Sequence, residues 1–253
     1  MNVVPALIAT IGLLSAVSLL SSCQPEGKSP RTNLLPVKLS WQQQAISCHH
    51  SFELENQQWQ IRNLKFYLSD FSLDQHPLSL VASTWQQSQL VLLGTNCQGN
   101  SNWQVHFQQP LISGQLSFTL GLPFAINHQN PLTATTPLNH GDMFWSWQLG
   151  YKFLRLDMQS QLQGWAFHLG STGCQSASVL RPPLTPCNAA NTYRITLRYQ
   201  PGQHLHLDLA QLLNQLVPTV DNSCMSDNLL ASCQLLFNNL AQRQIWQMVS
   251  TND

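Results

Sequence analysis

The sequence is short of charge. Only 9% of its 253 residues are Asp, Glu, Lys or Arg, eleven acidic against eleven basic, where a soluble domain usually carries about a quarter. Zero net charge and the lack of a basic stripe argue against a nucleic-acid partner, because phosphate backbones are held by clustered Lys and Arg. The usual signatures of catalysis are missing as well. Gly170-Ser171-Thr172-Gly173 is not a G-x-S-x-G elbow, and no Gly-rich phosphate loop follows a strand. There is no C-x-x-C pair, no H-x-x-x-H and no zinc-finger spacing. Carboxylates are too scarce for a hydrolase acid and base to stand out, so a hydrolase is not expected. Polarity comes instead from amides, 30 Gln and 18 Asn. Hydrophobic residues at 43% argue against disorder. The length suits one domain of the larger all-β kind, long enough to bury its own core.

Residues 2–20 form an uncharged apolar run that closes in Leu20-Ser21-Ser22-Cys23. An aliphatic residue, two small ones and a Cys match the bacterial lipobox, which predicts a signal peptide over 1–22 and lipid on Cys23. No Lys or Arg precedes the run, a departure from the usual pattern. Residues 24–36 hold Pro25, Gly27, Pro30 and Pro36 and little hydrophobicity, as a tether would. Position 24 is Gln rather than the Asp of inner-membrane retention, so the expected address is the outer membrane, facing the periplasm. A folded domain is expected over 37–253.

Six cysteines remain. In an oxidising compartment an even number implies disulfides. Local closure costs the least chain entropy, which pairs Cys174 with Cys187 and Cys224 with Cys233, leaving Cys48 with Cys97.

Segments rich in β-branched and aromatic residues recur between Gly, Pro and Asn: Val37–Trp41, Trp59–Ser72, Ser88–Leu93, Gly114–Gly121, Tyr151–Met158, Gly164–Gly170 and Tyr193–Tyr199. The fold class expected is mainly β, an antiparallel β-sandwich or barrel-like single domain, stapled by disulfides, with two short helices near the C-terminus. Asp208 would cap the first, Leu209–Leu216. Ser226 or Asp227 would cap the second, from Asn228 to about Leu240. Leu122–Trp147 reads as a long loop, and its aromatics favour a functional one.

Imidazole and indole are plentiful, with nine His and eight Trp. The histidines fall at Cys48-His49-His50, His76, His106, His128, His140, His168 and His204-Leu205-His206. His204 and His206 share a strand face, expected as a solvated edge. In Phe144-Trp145-Ser146-Trp147-Gln148, strand alternation puts Trp145 and Trp147 on one face. An intact indole offers only an N–H donor and is no metal ligand.

At these residues the sequence resembles a known family. Phe144-Trp145-Ser146-Trp147-Gln148, Gly150-Tyr151-Lys152-Phe153-Leu154-Arg155-Leu156-Asp157 and His168-Leu169-Gly170-Ser171-Thr172-Gly173-Cys174 look like the MbnP-like proteins, the four-Cys member of the metallo-mystery pair. Asn63-Leu64-Lys65-Phe66-Tyr67-Leu68-Ser69-Asp70, Gly121-Leu122-Pro123-Phe124 with Asn127-His128, Pro137-Leu138-Asn139 and Cys224-Met225-Ser226 with Cys233 continue the likeness in order. Cys174, Cys187, Cys224 and Cys233 fit the four-Cys label. The resemblance implies a periplasmic β protein that binds copper, and a MauG-like di-haem partner that oxidises a Trp to kynurenine. It implies a protein that is not itself an enzyme, with His128 and His168 as metal ligands and Trp145 or Trp147 as the modified residue; Trp165, beside His168, stays open, and His49 or His50, beside Cys48 and outside the motif blocks, are candidates for a third ligand. Gly170–Gly173 reads as a tight turn into the disulfide. A metal-free β-sandwich lipoprotein, using a Trp-rich surface on sugar or protein, is the competing expectation.

Overall fold

The computed structural model describes Met1 and residues 32–250. The expected signal peptide, the lipidation residue Cys23 and the tether up to residue 31 lie outside the described residues. The principal strands are β1 (Thr32–Trp41), β2 (Gln57–Leu73), β3 (Leu90–Thr95), β4 (Gln104–Leu111), β5 (Gly114–Leu120), β6 (Gly150–Gln159), β7 (Gly164–Gly170), β8 (Tyr193–Tyr199), β9 (Gln203–Asp208) and β10 (Trp246–Ser250). The helices are α1 (Phe124–Asn127), α2 (Leu209–Leu212) and α3 (Ala231–Ala241).

β2 organises the larger sheet. On one edge it pairs with β6 through Gln60–Phe66 and, further along, with β5 through Leu68–Leu73. On its other edge, Leu64–Ser69 pair with β3. β7 then lies outside β6, and β8 outside β5. A strand flanked on both edges and covered on both faces reads as continuous apolar sequence rather than alternation. Asn63–Ser69 are accordingly buried without a break. The register with β5 shifts by one beyond Ser69, where Asp70 takes φ 53°. That bulge turns the strand between its two partners on this edge.

The second sheet has β9 between β1 and β10, parallel to the first and antiparallel to the second. β4 pairs with the start of β1. Rings from the two sheets fill the space between them. Trp246 meets Phe66 and Phe118 at centroid distances of 5.6 and 5.7 Å, and Phe71 meets Phe107 at 5.4 Å. Edge-on contacts of this kind suit the ring quadrupole and bury large area. The fold is thus mainly β, with unclosed sheets and, among the described residues, three helices, and it has the three expected disulfides, Cys48–Cys97, Cys174–Cys187 and Cys224–Cys233. No helix among the described residues is long and apolar enough to cross a membrane.

Four boundaries differ from expectation. β1 begins at Thr32, inside the stretch read as tether, because β4 offers it a partner from Leu111 onward. Asp208 caps α2 as expected, accepting from the Ala210 N–H, but the helix stops at Leu212. Ser226 is no cap: its hydroxyl accepts from the Gly170 N–H and donates to the His168 carbonyl. Leu122–Trp147 contains α1 and a short strand, Phe144–Ser146.

Candidate metal centre at the Trp hairpin

The site is built around the turn that joins Phe144–Ser146 to β6. Gly150, at φ 80°, sits so close to the Asn127 carbonyl that a side chain would collide with it. Glycine is the residue that takes this conformation without strain. Asn127, 1% exposed, binds the turn from inside: its Oδ1 accepts from the Tyr151 N–H at 2.8 Å, and its Nδ2 donates to the Leu149 carbonyl at 3.1 Å. The Ser146 hydroxyl accepts from the Leu149 N–H, and the Gln148 amide donates to the Cys174 carbonyl at 2.8 Å. Helix α1, the hairpin and the Cys174–Cys187 disulfide are thereby fastened together.

His128 follows α1 directly. Its Nε2 lies 3.2 Å from Asn127 Nδ2 and 3.7 Å from Cys187 Sγ. Its Nδ1 is buried without a well-formed hydrogen bond, and the Trp147 backbone lies within reach of the ring. Burial lowers the pKa of the ring, and the Trp147 backbone opposes that only in part. The ring is therefore held as neutral imidazole, the form that binds metals. His128 and the two cysteines are the one group of three potential ligand residues within reach of one another among the described residues. The two sulfurs are bonded to each other, so they are not thiolates and do not supply ligands.

His168, on β7, stands at the other side of the hairpin. Its Nε2 is 2.7 Å from Asp157 Oδ1. The ring meets Trp145 edge-on at 6.4 Å, and the Trp145 indole packs against Gly170. Burial alone would raise the Asp157 carboxyl, but hydrogen bonds from His168 and Arg155 outweigh it and hold the group below the usual carboxylate range. Asp157 belongs to a ladder of charges unusual in so uncharged a chain. Arg155 joins it to Asp142, which also binds the buried Lys65 at 2.8 Å. Lys152 donates to the carbonyls of Asp142 and Phe144, so the ladder fixes the start of the hairpin strand.

The structure brings His128 and His168 to one hairpin without joining them to each other. Trp145 goes with His168. Trp147 does not share its face as alternation predicted: the strand ends at Ser146, and the Trp147 ring instead meets Phe144 at 6.0 Å. Trp165 is core, 2% exposed, with its N–H on Asn222. His49 and His50 are exposed beside Cys48, and His50 Nδ1 folds back onto Ser47 Oγ at 2.9 Å. No hydrogen bond or ring contact among the described residues joins that pair to the hairpin. His140 stacks on Trp85, centroids 5.2 Å apart. Sequence reasoning passed over Asp157 and Asn127. Their signal was present: Asp157 is a charge inside an apolar strand, and Asn127 precedes a flagged histidine.

A disulfide-stapled, mainly β domain with histidines and tryptophans gathered on one hairpin defines the class. The MbnP family model matches residues 32–226, and the chain belongs to that family. Among solved structures, MbnP from Methylosinus trichosporium matches with a TM-score of 0.73 at 19% identity, over 86% of this chain and 98% of the other. At that identity the likeness is one of fold. No curated protein matches the chain.

Proposed function

We propose that the protein is a copper-binding lipoprotein, not itself an enzyme, whose site is completed at the Trp hairpin. The observation that carries this reading is the pair of imidazoles flanking one tryptophan-bearing turn, each prepared in a different way. His168 has its Nε2 on a carboxylate, the arrangement that orients a ligating imidazole and leaves its other nitrogen for the metal. His128 is held by burial toward the neutral form, with its Nε2 facing the Cys174–Cys187 disulfide. A neutral nitrogen and oxygen donor set suits Cu(II).

Two imidazoles leave the set incomplete, and the indoles do not extend it as they stand. Oxidation of Trp145 or Trp147 to kynurenine cleaves the indole C2–C3 bond with oxygen added at both carbons, and hydrolysis releases C2 as formate, leaving an aryl amine and a ketone that turn a non-ligand into a ligand. A MauG-like di-haem partner would catalyse this four-electron oxidation, with two equivalents of peroxide as the oxidant. Trp145 is the better placed of the two, because its ring already meets that of His168. The bound metal serves copper handling in the periplasm. A lipid on Cys23 would hold protein and partner on one membrane surface and raise their effective concentration.

The test is elemental analysis of the full chain, expressed through its own leader with and without the di-haem partner, together with peptide mass spectrometry across residues 142–151. The expected result is kynurenine, and one equivalent of copper beyond any bound in its absence, only when the partner is present. Equal copper in both preparations would show that histidines suffice. No copper in either would favour a metal-free recognition surface.

A further inference from the structure

The histidines that the hairpin does not use include a second pair. His204 and His206 lie on β9, which is a central strand between β1 and β10 and not the solvated edge that their sequence pattern predicted. Residues two apart on a strand face the same side. The two rings stand 6.3 Å apart, centre to centre, and line a groove of about 440 Å³ with Lys38, Ser40, Gln43 and Gln247.

His204 is 4% exposed, and its Nδ1 has no hydrogen-bond partner. A buried imidazole nitrogen left unsatisfied is rare in a native protein unless something completes it. His206 Nε2 is 2.6 Å from Ser40 Oγ, so this ring is already oriented by a hydroxyl as ligating imidazoles commonly are. The ring separation is about twice the ~3 Å between a metal and the centre of an imidazole bound through a nitrogen at about 2.0–2.1 Å.

We propose that His204 and His206 form a second metal site, distinct from the hairpin, for a late divalent transition metal, with Cu(II) binding most tightly. The donors lining the groove are imidazole, hydroxyl and amide; Asp208, further along the strand, is outside that lining and takes the N–H groups of Gln42 and Ala210 on its Oδ1. Such a set favours Cu(II), Ni(II) or Zn(II) over Ca(II) and Mg(II). Lys38 is a cation lining the groove, and it weakens the site by repelling the metal. Its register opposite His206 places it within the groove.

The experiment uses the full chain made without the di-haem partner, in an H128Q/H168Q background, titrated with Cu(II) after chelator treatment. One equivalent bound in that background is expected. Adding His206→Gln should weaken it by at least tenfold, with thermal melting showing that this part-exposed position leaves the fold intact. Lys38→Ala should tighten binding severalfold, an effect that a purely structural histidine pair would not show. No copper in the background, or one equivalent that survives both His206→Gln and His204→Gln, would overturn the proposal without touching the hairpin reading. Copper lost only from the wild-type hairpin variants would do the same.

Discussion

The two sides of the hairpin hold histidine in opposite ways. His168 is tied to a carboxylate whose other oxygen is tied to Arg155, and its position is set by charge. His128 has no carboxylate; it is set by a buried amide, a disulfide and the helix it ends. One imidazole is oriented and the other is desolvated. On the proposed reading both devices prepare a ring for a metal, and they respond differently to perturbation.

Opening the disulfide is the strongest way to break this comparison. Cys174 and Cys187 are 13 residues apart, and closing a loop of that size is worth about 3 kcal/mol. A C174S/C187S variant should lose about that in urea unfolding and should loosen His128, while His168, held from β6, keeps its carboxylate. A loss below about 1 kcal/mol would show that the hairpin is held by Asn127 alone.

Asp157→Asn comes next. It removes hydrogen bonds from two partners, one of them charged, and should cost about 1–2 kcal/mol after allowing for the partial exposure of Arg155 and Asp157. On the metal reading it should also reduce copper affinity about 10–100-fold, the usual cost of losing a partner behind a ligand. Copper binding unchanged in this variant would leave the ion pair a structural one.

The pH dependence separates the two sides further. Asp157 is held low in the folded chain, so its stabilisation is complete above the unfolded value of about 3.9 and is lost as pH falls through the lower folded value. His128 is also lowered, but for a histidine the sign differs. The folded chain resists its protonation, so stability is unaffected above the unfolded value of about 6.5 and declines as pH falls below it. Melts from pH 3 to 7 should show Asp157→Asn flattening the acid end, and His128→Gln removing part of the decline below about pH 6.5. His140, His204 and His206 are lowered too, so the His128 share is the smallest effect. It would be absent if Nδ1 were reached by water.

Much of the architecture was legible in residue order. The strands over Trp59–Ser72, Gly114–Gly121, Gly164–Gly170 and Tyr193–Tyr199 stood out because β-branched and aromatic runs end at Gly, Pro and Asn, and the observed strands follow them within a few residues. β4 and β10 were not read. Gln interrupts both segments, and their strand character comes from partners distant in sequence. The disulfides were legible because short loops close most easily and only one pair was then left over. Trp145 and His168 were flagged singly. Their contact was not, since it depends on the register of β6 with β7 and on where the hairpin strand stops.

What the sequence determined by itself was local: the amide-rich polarity, the strand and turn pattern, the cysteine pairs and the motif blocks that mark the family. The tertiary structure decided the rest. It made β9 a central strand and so buried His204, put Asp157 behind His168, and ended the alternation at Ser146 so that Trp145 and Trp147 part company. The physical reason is that burial and hydrogen-bond partnership are properties of pairs across strands, and strand register is fixed by the whole packed sheet rather than by any segment read alone.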